Sequence, residues 1–187
     1  MCTSDYILAI TAIFILWYSW ETRKLKQEMF KQTELQKRIL MHQSLLYLQK
    51  DYLLPQMFYA VRTLWEFYRE YGKEKFVVKY EEIRDEERRW ILSMDKQKRI
   101  EAEQTTLHYQ RRLVSQFYNQ LATLYINGVL PKDIVYANWA EADLRIIPEV
   151  LVPIENKLRE VLHEPPLGPL DENCSLLVLY RDSENYR

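Results

Sequence analysis

The first twenty residues contain an apolar run that no charge interrupts. Tyr6–Trp20 reads YILAITAIFILWYSW, and Asp5 and Glu21 bound it. The run is apolar on every side of a helix, whereas a helix on the surface of a globular domain keeps a polar face. At helical rise it spans about 22 Å, short of the roughly 30 Å hydrocarbon core of a bilayer. The pattern predicts a transmembrane anchor, and a buried core helix is the alternative.

The residues at the C-terminal end of this run indicate a membrane interface and an orientation. Aromatic side chains gather there, as they do at membrane–water boundaries, and basic side chains follow them. The predicted interface residues are Trp17, Tyr18, Trp20, Arg23, Lys24 and Lys26. Because positive charge marks the cytoplasmic side, we expect a single-pass protein of the cell inner or cytoplasmic membrane with its N-terminus outside. A cleaved signal peptide is disfavoured, since Asp5 precedes the run and bulky aromatic residues follow it.

The basic stretch after the anchor begins a long helix. Residues 21–54 contain no glycine or proline and are rich in good helix formers. Their first half is predicted to be a solvated stalk, and their second half to enter a domain. Positions seven apart, with the polar Gln32 among them, form a possible interaction face for a second copy or a protein partner, and its apolar residues are Leu25, Ile39, Leu46 and Leu53. The intervening positions are only partly apolar, so the heptad is degenerate. The basic residues themselves could add affinity for anionic lipid headgroups.

Amphipathic helices follow Pro55, separated by glycine and proline. Apolar residues at three-and-four spacing predict helices over 57–71, from Ser93 or Asp95 to about 127, from Pro131, and over 148–162. Gly72 and Gly128 are expected to end helices. Residues 76–78 fit a short strand or a helical start. The apolar run 176–180 is expected to dock as an edge strand or on the helices, or otherwise to be a partner motif on a flexible arm.

The predicted fold is therefore all-α: a transmembrane helix, a long stalk helix and a bundle of four or five helices. The predicted parts are an anchor (1–22), a basic stalk entering the bundle (23–54), a helical bundle domain (55–163) and a Pro-rich linker with a C-terminal tail (164–187).

Composition excludes several classes of function. The chain has 187 residues but only 3 glycines, which lie far apart. Glycine-rich phosphate loops and the GxSxG nucleophile turn are therefore absent from the sequence. The net charge of −1 gives no overall attraction to nucleic acid. Cys2 and Cys174 stand at opposite ends, so a disulfide framework is not expected.

Residues that could carry chemistry are scattered. Glu160 and His163 form one Glu-x-x-His, but helical di-iron sites need this spacing twice. The acidic runs between residues 81 and 103 are interleaved with basic residues, which is typical of a solvated helix face. We therefore predict no catalytic, cofactor-binding or metal-binding residues, and no nucleic-acid or small-molecule partner.

One segment supports a resemblance. An aromatic-rich helix ends in Ile126-Asn127-Gly128, and a helix start with proline and acid follows at 131–136. With the earlier helix Phe58–Tyr71, this layout resembles domain-of-unknown-function family 4760. The resemblance covers about residues 20–162 and implies a prokaryotic or phage origin, an all-helical cytoplasmic domain and no site residues.

The expected function is that of a membrane-anchored cytoplasmic helical interaction or scaffold protein without catalytic activity, whose partners are the lipid bilayer and a second copy or another protein. The alternative is a small membrane-acting effector, of the toxin or phage-defence type, that perturbs the bilayer on assembly. An enzyme with an unrecognised helical site is the third hypothesis.

Overall fold

The computed structural model describes residues 3–168 and 174–186, and these are helical with no strand among them. The all-α prediction is thereby confirmed for this part of the chain. The helices are α1 (Thr3–Tyr52), α2 (Pro55–Leu92), α3 (Lys96–Gln104), α4 (Leu107–Ile126), α5 (Lys132–Asn138), α6 (Glu141–Leu144), α7 (Val152–Val161) and α8 (Ser175–Glu184), with a π-helical turn at Ile147–Leu151.

The chain divides into two compact units, with the division between Gln43 and Ser44. In the first unit α1 is an unbroken helix, as its lack of glycine and proline predicts. Every side chain from position 11 to position 20 is exposed.

The predicted transmembrane span finds no support in the described residues, because none of their helices is long and apolar enough to cross a membrane. The physical reason is that the uncharged part of α1 is short. It lies between Asp5 and Glu21. The predicted anchor also includes Met1 and Cys2, which lie outside the described residues.

The core of the second unit lies between α2, α4, α8 and the segment from the π-turn into α7. Helix α4 runs through its centre, because Val114, Phe117, Tyr118 and Leu121 recur at helical spacing and are all buried. Helices α2 and α8 both pack against α4. Other large, fully buried side chains are Leu64, Phe76, Tyr80, Leu130, Trp139, Leu144, Ile146, Ile147 and Ile154.

The last turns of α1 belong to this second core. Leu48 is fully buried, and the Gln49 amide donates to Asn138 Oδ1 at 2.7 Å. The Tyr52 ring packs 5.3 Å from the ring of Phe117, measured between centroids, and its hydroxyl donates to Asp143 Oδ1 at 3.2 Å. The predicted entry of the long helix into a domain is therefore present from residue 44 onward.

Glycine breaks the helices where the apolar periodicity stops. Gly72 has φ 69° and ψ 164°, which divides α2 at the predicted position. Gly128 has φ 67°, just after the end of α4. Residues 76–78 continue α2 as helix, so the strand alternative is wrong there.

One predicted long helix is instead two. The helix expected from Ser93 or Asp95 to residue 127 is interrupted at Thr105 and Thr106. Thr106 caps α4, since its hydroxyl accepts from the backbone N–H of Tyr109 at 3.1 Å. The carboxylate of Glu87, from α2, accepts from the N–H of Leu107 at 2.7 Å. These acceptors satisfy N–H groups that a continuous helix would bond internally, so a new helix starts here.

Proline shapes the C-terminal helices. A π-helical turn lies directly before Pro153 and accommodates a residue without an N–H group, while the predicted kink at Pro153 stays a prediction. The run 176–180 is helical and docked, so the edge strand is wrong and docking on the helices is confirmed. The Tyr136 hydroxyl donates to the Leu179 carbonyl at 3.0 Å. Part of the predicted linker, residues 169–173, lies outside the described residues.

Candidate functional site

The exposed apolar surface of the first unit is the most conspicuous candidate site. Ile13, Phe14, Ile15 and Leu16 are each 63–70% exposed, although they are consecutive and therefore point to all sides of the helix. Full burial of such a side chain is worth about 1.5–3 kcal/mol. Four of them in water forgo roughly 6–12 kcal/mol, which is comparable to the whole stability of a small domain. Contact of this surface with other apolar groups would therefore be favourable.

The predicted membrane-interface residues lie next to this surface. Trp17, Tyr18 and Trp20 are exposed, at 57%, 70% and 59%. The Lys24 amine lies 5.6 Å from the Trp20 ring centroid, a cation–π distance that links the aromatic end to the basic stretch. Arg23 and Lys26 are exposed as well.

Sequence reasoning missed Gln27 and Phe30, which share a face with the basic residues. These two line a shallow depression of about 650 Å³ together with Arg23, Lys26 and Lys31. The spacing of these residues could have revealed the shared face, since residues three and four apart are neighbours on a helix.

The residues of the predicted interaction face are all exposed. Leu25 and Ile39 lie in the first unit, and Leu46 and Leu53 in the second. Each is exposed by 48% or more. The exposed leucine and isoleucine side chains, spaced by seven or fourteen residues, could contact a helical partner, and self-association through them stays a prediction.

A polar cluster of the second unit joins α2, α4 and α7. His108 Nδ1 lies 2.9 Å from the hydroxyl of the buried Tyr80. Burial, together with the positive charges of Arg111, Arg112 and Arg84, lowers the pKa of His108 from 6.5 to about 4. In the neutral tautomer that carries its proton on Nε2, the imidazole accepts this hydrogen bond at Nδ1 and the Tyr80 O–H donates it.

Arg111 extends this cluster toward α7. Its guanidinium pairs with Glu155 at 3.0 Å, and its side chain is only 10% exposed. Its Nε has no hydrogen-bond partner among the described residues. Gln110 and Arg111 are both buried although their side chains are polar. They stand three and four residues after the buried Leu107, and this spacing was the signal for burial.

An open groove of about 610 Å³ runs along α4. It is lined by Tyr47, Leu48, Arg111, Arg112, Ser115, Gln116, Asn119, Gln120, Thr123 and Leu124. These side chains offer amide and hydroxyl hydrogen bonds and two positive charges. Among the described residues that line it there is no histidine or carboxylate to act as a base for Ser115.

The residues considered for metal binding are not brought together. Glu160 pairs with Lys157 at 2.7 Å, and His163 lies at the end of α7 with φ 57°. Within residues 3–168 and 174–186, no group of three or more His, Cys, Asp or Glu side chains is placed to hold a metal ion.

Comparisons with known proteins found no matching family model, no similar curated protein and no similar solved structure. The resemblance to domain-of-unknown-function family 4760 therefore stays a prediction.

Proposed function

We propose that this protein is a membrane-attached helical interaction protein without a catalytic role. The apolar segment, residues 6–20, enters the lipid bilayer, and the second unit is the part that a protein partner or a second copy recognises. The basic residues after Trp20 orient the second unit toward the cytoplasm. The amide, hydroxyl and guanidinium groups that line the groove on α4 suit the binding of a polar surface, which supports a binding role.

One observation carries the proposal: the side chains of positions 11–20 are exposed on all sides of α1. A helix that is apolar all round is buried in a large core or in a membrane. Within the first unit these side chains remain exposed, so the bilayer is the partner that their chemistry fits best. Aromatic residues at one end and basic residues beyond them match the order of a membrane interface.

The proposal is tested by flotation of the full chain with phosphatidylcholine vesicles. The test variant carries Ile13→Asp and Leu16→Asp, which place charge inside the apolar segment. The matched control carries Leu46→Asp and Leu53→Asp, which change equally exposed leucines of the second unit. We expect the wild-type chain and the control to float with the vesicles, and the test variant to stay in the soluble fraction.

Two outcomes distinguish this proposal from its alternatives. A wild-type chain that stays soluble with vesicles would overturn membrane attachment. Release of a dye trapped in the vesicles, lost in the Ile13→Asp/Leu16→Asp variant, would instead favour the bilayer-perturbing effector. The length of the apolar segment, about 22 Å, supports that second candidate, since a helix shorter than the hydrocarbon core thins the bilayer around it.

A further inference from the structure

The basic side chains that follow the apolar segment share one face of α1. Arg23, Lys26 and Lys31 line a single shallow depression, together with Gln27 and Phe30. We call this set the basic face. Arg23 and Lys31, at its two ends, are eight positions apart, which is about 12 Å along the helix. Phe30 lies among them and is 68% exposed.

The neighbouring acidic residues form no ion pair with the basic face among the described residues. Glu28 lies about 140° round the helix from Arg23, and Glu21 about 160°. Glu28 and Glu34 each stand three residues from Lys31 and are its neighbours on the helix. Glu34 is on the near side, but its carboxylate lies 3.7 Å from the Lys37 amine. Among the described residues, Arg23, Lys26 and Lys31 form no ion pair. The face therefore presents three unpaired positive charges to solvent.

We propose that the basic face binds the phosphate groups of anionic phospholipids. Lysine and arginine donate hydrogen bonds to phosphate oxygens, and juxtamembrane basic clusters are attracted to anionic leaflets. The exposed Phe30 ring gives the face an apolar centre that can enter the headgroup boundary. The inference rests on the proposed membrane attachment and adds the class of lipid that is selected.

The position of the face favours a lipid over a nucleic acid. Arg23 follows Trp20 by one helical turn, and the Lys24 amine already lies over the Trp20 ring. An aromatic residue at the end of an apolar run, followed by basic residues, is the order expected across a membrane interface. The chain as a whole has a net charge of −1, which gives no general attraction to a polyanion.

The test measures binding of the full chain to vesicles of phosphatidylcholine alone and of phosphatidylcholine mixed with phosphatidylglycerol. The variant carries Arg23→Gln, Lys26→Gln and Lys31→Gln. The matched control carries Lys73→Gln, Lys96→Gln and Lys98→Gln, which remove the same charge from exposed positions of the second unit. Each basic residue near an anionic surface contributes roughly fivefold to binding. We expect the variant to lose about a hundredfold in affinity for the mixed vesicles, and the control to keep its affinity.

The two vesicle types separate failure of this inference from failure of the proposed function. Binding to both vesicle types with equal affinity would overturn the lipid selectivity and leave membrane attachment standing. Failure to bind either type would overturn both. An unchanged preference for mixed vesicles in the variant would overturn the role of the basic face, as would an equal loss in the control. Tighter binding to a short DNA duplex than to mixed vesicles would overturn the choice of lipid.

Discussion

At the scale of single residues, the contact between His108 and Tyr80 makes stability depend on pH. Burial and the nearby positive charges of Arg111 and Arg112 lower the pKa of His108 to about 4, so its imidazole is neutral in the folded protein at neutral pH. The unfolded chain binds a proton near the ordinary pKa of 6.5. Between these values the unfolded state holds more protons, so stability falls as the pH falls.

Between pH 7 and pH 4, we expect protonation of His108 to lower the free energy of unfolding by about 1–2 kcal/mol. This value is already reduced because the ring is partly exposed to solvent. Urea unfolding at several pH values measures it. The His108→Gln variant is the control, because it does not titrate in this range. Since carboxylates titrate in both proteins, the informative quantity is the difference between the two pH profiles. Parallel profiles from pH 7 to pH 4 would show that His108 is not responsible.

His108 and Arg111 also show what the sequence could predict at this scale. The apolar positions of α4 were evident from their spacing, and the buried ones at 114, 117 and 121 follow it. Burial of Arg111 depends on Glu155, which lies 44 residues further along the chain. A polar residue is buried only where a partner compensates its desolvation, and helical periodicity carries no information on a partner so distant.

At the scale of helices, the docking of α8 connects the C-terminus to the core of the second unit. Leu179 is fully buried, and two tyrosines hold the helix from α4 and α5. The Tyr125 hydroxyl donates to Asp182 Oδ2 at 2.7 Å, and that of Tyr136 donates to the Leu179 carbonyl. Helix α8 is therefore part of the folded core.

We predict that Leu179→Ala lowers the free energy of unfolding by about 2–4 kcal/mol, because it removes buried atoms and leaves a cavity. Leu162→Ala is the matched control, since Leu162 is 67% exposed, and its effect should stay within about 0.5 kcal/mol. Chemical denaturation followed by circular dichroism measures both. Equal, small effects of the two substitutions would mean that α8 contributes little to the fold.

Helix boundaries were predictable where a local residue sets them. Gly72 and Gly128 end helices through their own backbone conformation, which the sequence makes explicit. The start of α4 could not be predicted in the same way, because the Glu87 carboxylate that accepts from its first N–H groups belongs to α2. The run 176–180 was ambiguous for a related reason: a short apolar segment fits a strand or a helix equally well until its neighbours are known.

At the scale of the whole molecule, the boundary between the two units differs from the one that Pro55 suggests. The second unit begins at Ser44, eleven residues earlier. Leu48 has no exposed surface, and the Tyr52 ring packs against Phe117 and Trp139. Proline is a strong local signal for a helix end, whereas the residue at which the long helix enters the domain is set by tertiary packing, so its entry could be predicted but not the exact position.

This boundary predicts how truncated chains behave. A fragment of residues 44–187 should unfold cooperatively, because it keeps Leu48 and Tyr52 in the core. A fragment of residues 55–187 loses both. Truncation of a buried leucine and a buried aromatic ring lowers the free energy of unfolding by roughly 4–8 kcal/mol in all. Since a domain of this size is stable by about 5–15 kcal/mol, the shorter fragment should show a much lower melting temperature or no cooperative transition. Thermal unfolding followed by circular dichroism compares the two. Equal melting temperatures would place the domain boundary at Pro55 and would make the last turns of α1 dispensable for the core.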